Sequence, residues 1–141
     1  MKPSKSSLTV GILTAAALLA SCSGMRSLQQ QDKAEHARFN AYAGGPVRQF
    51  TWVTTNRSTQ AIWTDQLIAW TNINQAYLIT VRQPCPNLLV ASNIGLSSSA
   101  GTVYAGADRV YARGRTCVIH TIQPVDYQRM VRAQRAQKVD E

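Results

Sequence analysis

Signatures of metal binding and nucleophilic catalysis are missing from this sequence. No C-x-x-C pair occurs, and His36 and His120 show no ligand spacing, which excludes a zinc site of the common kinds. Ser97-Ser98-Ser99 lies in no G-x-S-x-G, and no His-Asp relay accompanies it, so a hydrolase elbow is excluded. Gly95, Gly101 and Gly106 fit no G-x-x-x-x-G-K-[ST] pattern and make no phosphate loop of that type. Long apolar runs are also missing: Leu8 to Leu19 falls well short of the roughly 20 residues that cross a bilayer as a helix. Acidic residues are scarce. Seven Asp and Glu against 15 Lys and Arg give a formal net charge of +8, which draws the chain toward anionic partners.

What is present begins with address. Lys2 and Lys5, the apolar run and the small residues after it are the three zones of an export signal. At its end Leu19-Ala20-Ser21-Cys22 resembles the lipobox of bacterial lipoproteins. That resemblance implies cleavage before Cys22, a diacylglyceryl thioether on its sulfur and an acylated amine. At about 0.8 kcal/mol per buried methylene, several palmitate-type chains hold a protein on a membrane where one would not. In lipoproteins an aspartate after the cysteine commonly retains the protein in the inner membrane. Ser23 stands there, so the resemblance implies the outer membrane, with the domain facing the periplasm. Removing residues 1–21 takes away only Lys2 and Lys5 among charged residues, and 13 − 7 leaves +6. The remainder suffices for one domain. Outside the cytoplasm the anionic partners are headgroups, acidic glycans or acidic proteins, and not nucleic acid.

Compartment then decides the other cysteines. With Cys22 acylated, Cys85 and Cys117 are an even pair in an oxidising space, and a disulfide between them is expected. Residues 22–45, polar with Gln29-Gln30-Gln31 and closing on Gly44-Gly45-Pro46, read as a tether. Ala34, Ala37 and Arg38 favour a short helix around Asp32 to Tyr42, with His36 solvated.

Residues 46–126 read as a β-rich domain. Arg48 to Thr55 alternates with Phe50 and Trp52 on one face; Asn56-Arg57-Ser58 marks a turn. Ile62 to Trp70 is one bent strand or two short ones, interrupted at Asp65-Gln66, and Asn72 and Asn74 make the next turn. Ala76 to Arg82 is the clearest strand, apolar enough to be buried on both faces. Pro84-Cys85-Pro86-Asn87 breaks the pattern, Leu88 to Ala91 is a short strand or turn, and Ser97 to Gly101 is a loop. Asp108 to Ala112, Arg113-Gly114 and Arg115 to Gln123 form a hairpin. Its second arm places Val118, His120 and Ile122 on one face, and Pro124 ends it. Asp108 suits a carboxylate bonding local backbone. Asp126 caps a basic helical tail in residues 127–141, running from Tyr127 to about Lys138. There Arg129, Arg132, Arg135 and Lys138 recur at i+3 and wind around the axis, and the tail's charge is placed to touch headgroups.

The segments around Pro84-Cys85-Pro86-Asn87, Asp108-Arg109-Val110, Cys117-Val118-Ile119 and Gln123-Pro124-Val125-Asp126 resemble a family of small, exported, two-cysteine bacterial proteins without an assigned function. The resemblance implies the cysteine pairing and a β-rich fold. The chain as a whole reads as mainly β: a small antiparallel β-barrel or roll with one disulfide and a C-terminal helical tail. It brings no catalytic residue and no cofactor. Ser98-Ser99-Ala100-Gly101-Thr102-Val103-Tyr104 with Arg113-Gly114 resembles motifs of the membrane-bound lysozyme inhibitors, in which a serine and a lysine enter the enzyme's active site; here Arg113 stands for the lysine. The candidate binding surface is therefore Ser98, Ser99, Tyr104, Asp108, Arg109 and Arg113. The expected function is a non-enzymatic envelope module binding a protein or an anionic polymer. One alternative is an inhibitor of a cell-wall-degrading enzyme. Another is an envelope hydrolase, which requires Asp65, Asp108 and His120 to converge in one cleft.

Overall fold

The computed structural model describes residues 19–52 and 58–140. The export signal up to residue 18 and the Asn56-Arg57 turn lie outside the described residues. Helix α1 (Leu19–Ala41) comes first, followed by strands β1 (Gln49–Thr51), β2 (Ser58–Ala61), β3 (Gln66–Asn72), β4 (Gln75–Val81) and β5 (Ile94–Leu96). Strands β6 (Thr102–Tyr104), β7 (Arg109–Ala112) and β8 (Arg115–Val125) lead to helix α2 (Tyr127–Val139). The chain divides into two units, Met1–Gln31 and Asp32–Glu141. Of the first, Leu19 to Gln31 is helical.

Six strands pair antiparallel in the order β2-β3-β4-β8-β7-β5, and β1 pairs with β6. The six-stranded sheet curls into a nearly closed barrel. At the seam between its edge strands β2 and β5, the Thr59 hydroxyl donates to the Ile94 carbonyl at 2.8 Å. Thr59→Val keeps the shape and removes that bond, and is expected to cost about 1 kcal/mol in urea unfolding, the net worth of one ordinary hydrogen bond.

Strand β4 lies between β3 and β8, and the expectation that it is buried on both faces holds. Ile79 and Val81 face the barrel interior with Leu67, Ile119, Ile122, Val103 and Val110. Ala76 and Leu78 face outward into a second cluster with Ile68, Phe39 and Met130. The outer cluster exists because both helices cover that side. Phe39 and Tyr127 each meet the Trp70 ring edge-on, at 6.2 and 4.5 Å between centroids. The short helix expected around Asp32 to Tyr42 is present, and it extends back through the stretch read as a tether to Leu19, with Phe39 buried. Its thin apolar stripe hid the docking, because one aromatic ring supplies most of the contact. His36, expected in solvent, stacks on Trp63 at 4.3 Å.

Strand β8 organises the rest. One side pairs with β4 along most of its length; the other pairs first with β7 and then with the segment after α1. In that second half Val47 N donates to Ile122 O (2.8 Å) and Gly44 N to Pro124 O (2.7 Å). This corrects the reading that Pro124 ends the strand. Its backbone edge faces the irregular 43–47 segment, where no ladder N–H is required of it, so β8 continues to Val125. The single-face reading of Val118, His120 and Ile122 is also corrected. The register shifts between Thr80↔Thr121 and Val81↔Ile119, leaving His120 as the extra residue of a bulge. Ile119 and Ile122 both reach the core while His120 is exposed.

Other boundaries differ in small ways. Ile62 to Trp70 is split by a turn in which Ile62 N and Trp63 N both donate to Gln66 O, and Ser58, assigned to a turn, opens β2. Leu88 to Ala91 forms turns. Arg113 (φ 46°) and Gly114 (φ 76°) have the two positive φ values of a tight hairpin turn, as expected. Asp126 caps α2 by accepting from Arg129 N at 3.1 Å, and Met130 buries the first turn.

Candidate functional site

The expected surface residues meet only in part. Asp108, 7 % exposed, precedes β7, and both of its carboxylate oxygens are engaged. Ser97 Oγ donates to Oδ1 at 2.6 Å and Tyr104 N to Oδ2 at 2.7 Å. The same Ser97 Oγ accepts from Arg109 N at 2.9 Å, so one hydroxyl relays between β7 and the carboxylate. Backbone bonds from Ile119 N to Asp108 O and from Gly106 N to Ile119 O fasten the knot to β8. Asp108 is therefore the carboxylate bonding local backbone that the sequence suggested. Ser97, left out of the candidate set, is the serine it holds.

Ser98 and Ser99 are exposed, and Ser99 exchanges backbone hydrogen bonds with Thr102 around the Ala100-Gly101 turn. Ser97 pairs with the Arg109 end of β7, through Ser97 N to Arg109 O, whereas Arg113 lies beyond the opposite end in the β7–β8 turn. The serine and the cation of the inhibitor-like motif are thus separated by the length of β7. Asp65 lies in the turn before β3, Asp108 in its knot and His120 in the exposed bulge, and no hydrogen bond links the three. Among the described residues no group of three His, Cys, Asp or Glu side chains is placed to hold a metal ion, and no helix is long and apolar enough to cross a membrane.

Two surfaces that were not singled out from the sequence stand out. The first lies where the β3–β4 hairpin meets α2, a groove of about 380 Å³ lined by Ile73, Tyr127, Val131, Arg132 and Arg135 among others. Ile73 is 77 % exposed at the hairpin tip. Arg132 and Arg135 are exposed and, among the described residues, have no carboxylate within ion-pair distance. The i+3 spacing of the α2 cations divides their work as helical winding predicts: Arg129 turns away to lie over the Tyr42 ring at 5.9 Å, while its neighbours line the groove. A signal for this site was present in Asn72-Ile73-Asn74, since an isoleucine between two turn-forming asparagines has no core to enter.

The second surface is the Pro84–Val90 loop at the opposite end of β4, beside a hollow of about 430 Å³ that Thr64 also lines. The Cys85–Cys117 disulfide pins it to β8, and Leu88 is buried beneath it. Pro86 and Asn87, at φ 70°, turn the chain so that Leu89 and Val90 point outward.

Residues 4–141 match the model of a family of unknown function (DUF6491). No characterised protein and no solved structure matches the chain.

Proposed function

The chain belongs to that family, which assigns it no activity, and from this premise we propose that it is an outer-membrane lipoprotein, acylated at Cys22, whose domain binds an acidic envelope partner and performs no reaction. The observation that carries the binding role is the α2 groove. Two arginines with no partner carboxylate among the described residues stand beside an exposed isoleucine, and Asn74, Gln128 and the half-buried Val131 and Tyr127 complete a mainly polar, cationic groove. Guanidinium forks suit carboxylate or phosphate groups, and the Tyr127, Val131 and Ile73 side chains add contact area. Lipobox-like Leu19-Ala20-Ser21-Cys22 and Ser23 support the address. The carboxylate knot supports a role without chemistry, because Asp108 spends both oxygens on loop architecture.

The test is a crosslinked pull-down from native envelopes with the acylated protein, Arg132→Glu/Arg135→Glu, and a Cys22→Ala control. The double reversal is expected to weaken capture of the acidic partner by about 5- to 30-fold, since two rim contacts of about 0.5 to 1 kcal/mol each sum to about 1 to 2 kcal/mol. Undiminished capture by the reversed protein would exclude the groove. Mass spectrometry showing an unmodified Cys22 would exclude the anchor.

A further inference from the structure

The end of the barrel at the Pro84–Val90 loop displays apolar side chains that the fold does not use. Leu89 is 41 % and Val90 62 % exposed, on a loop held by a disulfide. The same end collects positive charge. Arg82 follows β4 and donates its N–H to Val118 O, and the Arg113–Arg115 turn closes the hairpin whose Cys117 carries the disulfide. Arg82, Arg113 and Arg115 are exposed, and none is in an ion pair among the described residues. Of the acids nearest this end, Glu35 is engaged by Arg38 and Gln60, Asp65 is partly buried in the turn before β3, and Asp32 is exposed.

The direction of the chain gives this end its meaning. Tyr42, just after α1, accepts from Asp126 N at the far end of β8. From there α1 runs back along the outer cluster, through Phe39 on Trp70 and the Asn40–Gln66 bond, to His36 on Trp63 and Glu35 beside Gln60. Trp63 and Thr64 form the turn that borders the Pro84–Val90 hollow. The polypeptide therefore leaves the barrel toward Cys22 from the end that carries the exposed aliphatics. Ten residues separate Asp32 from Cys22, a reach of at most about 35 Å even when fully extended.

We propose that this end is a membrane-docking face: Leu89 and Val90 enter the interfacial region of a bilayer rich in anionic phospholipid while Arg82, Arg113 and Arg115 meet its phosphates. The occupant follows from charge and from the anchor. Cations near an anionic leaflet contribute about 1 kcal/mol each, and apolar side chains in the headgroup region add to the acyl chains. A docked barrel end directs the α2 groove, at the other end of β4, away from the bilayer. In this arrangement the headgroup contact comes from the barrel end, and not from the C-terminal helix as expected from the sequence. The proposal rests on acylation of Cys22.

The experiment uses the acylated protein reconstituted into vesicles of brominated phosphatidylcholine with phosphatidylglycerol. Leu89→Trp and Ile73→Trp place a reporter at opposite ends of the barrel. The emission added by Leu89→Trp should be largely quenched and that added by Ile73→Trp retained. Quenching at position 89 should fall in phosphatidylcholine alone, at high salt, or on adding Arg82→Glu/Arg115→Glu. Equal quenching of the two reporters, stronger quenching at position 73, or crosslinking of position 89 in native envelopes to protein instead of lipid would overturn the docking face. An intact mass showing no acyl chains on Cys22 would overturn the anchor reading and this inference together. Acylated protein unquenched at position 89 would overturn the inference alone.

Discussion

The Cys85→Ala/Cys117→Ala variant is expected to lose about 3 to 4 kcal/mol of stability, and chemical reduction of the native domain to lose a similar amount. The bond closes a loop over a sequence separation of 32, for which the chain-entropy model gives a value in that range. Both sulfurs are buried beside Leu88 and Ile119, so little solvation is regained when the bond opens. In a domain of this size the loss corresponds to a fall in Tm of about 10 to 20 °C. A second signature separates loop constraint from general damage. The Pro84–Val90 loop, freed from β8, should become sensitive to protease before the barrel melts. A fall below about 1 kcal/mol would show that the hydrophobic core, not loop closure, keeps this loop in place.

Asp108→Ala should cost about 3 kcal/mol in urea unfolding. Tyr104 N–H and the Ser97 hydroxyl each lose their acceptor, at about 1 to 3 kcal/mol for a buried group left unpaired. Asp108→Asn should recover roughly half of the loss. Its amide oxygen still accepts from Tyr104 N, and its NH2 can donate to Ser97 Oγ once that hydroxyl rotates. Ala and Asn variants that both unfold like the native protein would detach Asp108 from stability and return it to the candidate binding residues.

Much of the β architecture was legible because strands announce themselves by local pattern. Ala76 to Arg82 reads as a two-faced strand from its unbroken apolar content, and Arg113-Gly114 reads as a tight turn because only such residues sit between two β-rich arms. The misreadings share a cause. His120 in its bulge, Pro124 inside β8 and Phe39 on the outer cluster each depend on a partner distant in sequence: Thr80 and Val81, Gly44, and Trp70. Alternation along β8 alone predicts faces correctly only until the bulge inserts one residue and reverses the phase. The candidate surface residues are only partly brought together. Asp108, Tyr104 and Arg109 do gather, but around Ser97, while Arg113 sits at the other end of β7.

By itself, the sequence determined the mainly β class, the hairpin at Arg113-Gly114 and the capped C-terminal helix, which follow from composition and turn chemistry within short windows, and the cysteine pair, which follows from an even count of two in an oxidising space. Tertiary structure alone decided that α1 docks through Phe39, that the β2–β5 seam nearly closes the barrel, and that exposed aliphatics gather with arginines in no ion pair among the described residues at each end of β4. Those outcomes depend on curvature and register summed over strands far apart in the chain, which no local pattern encodes.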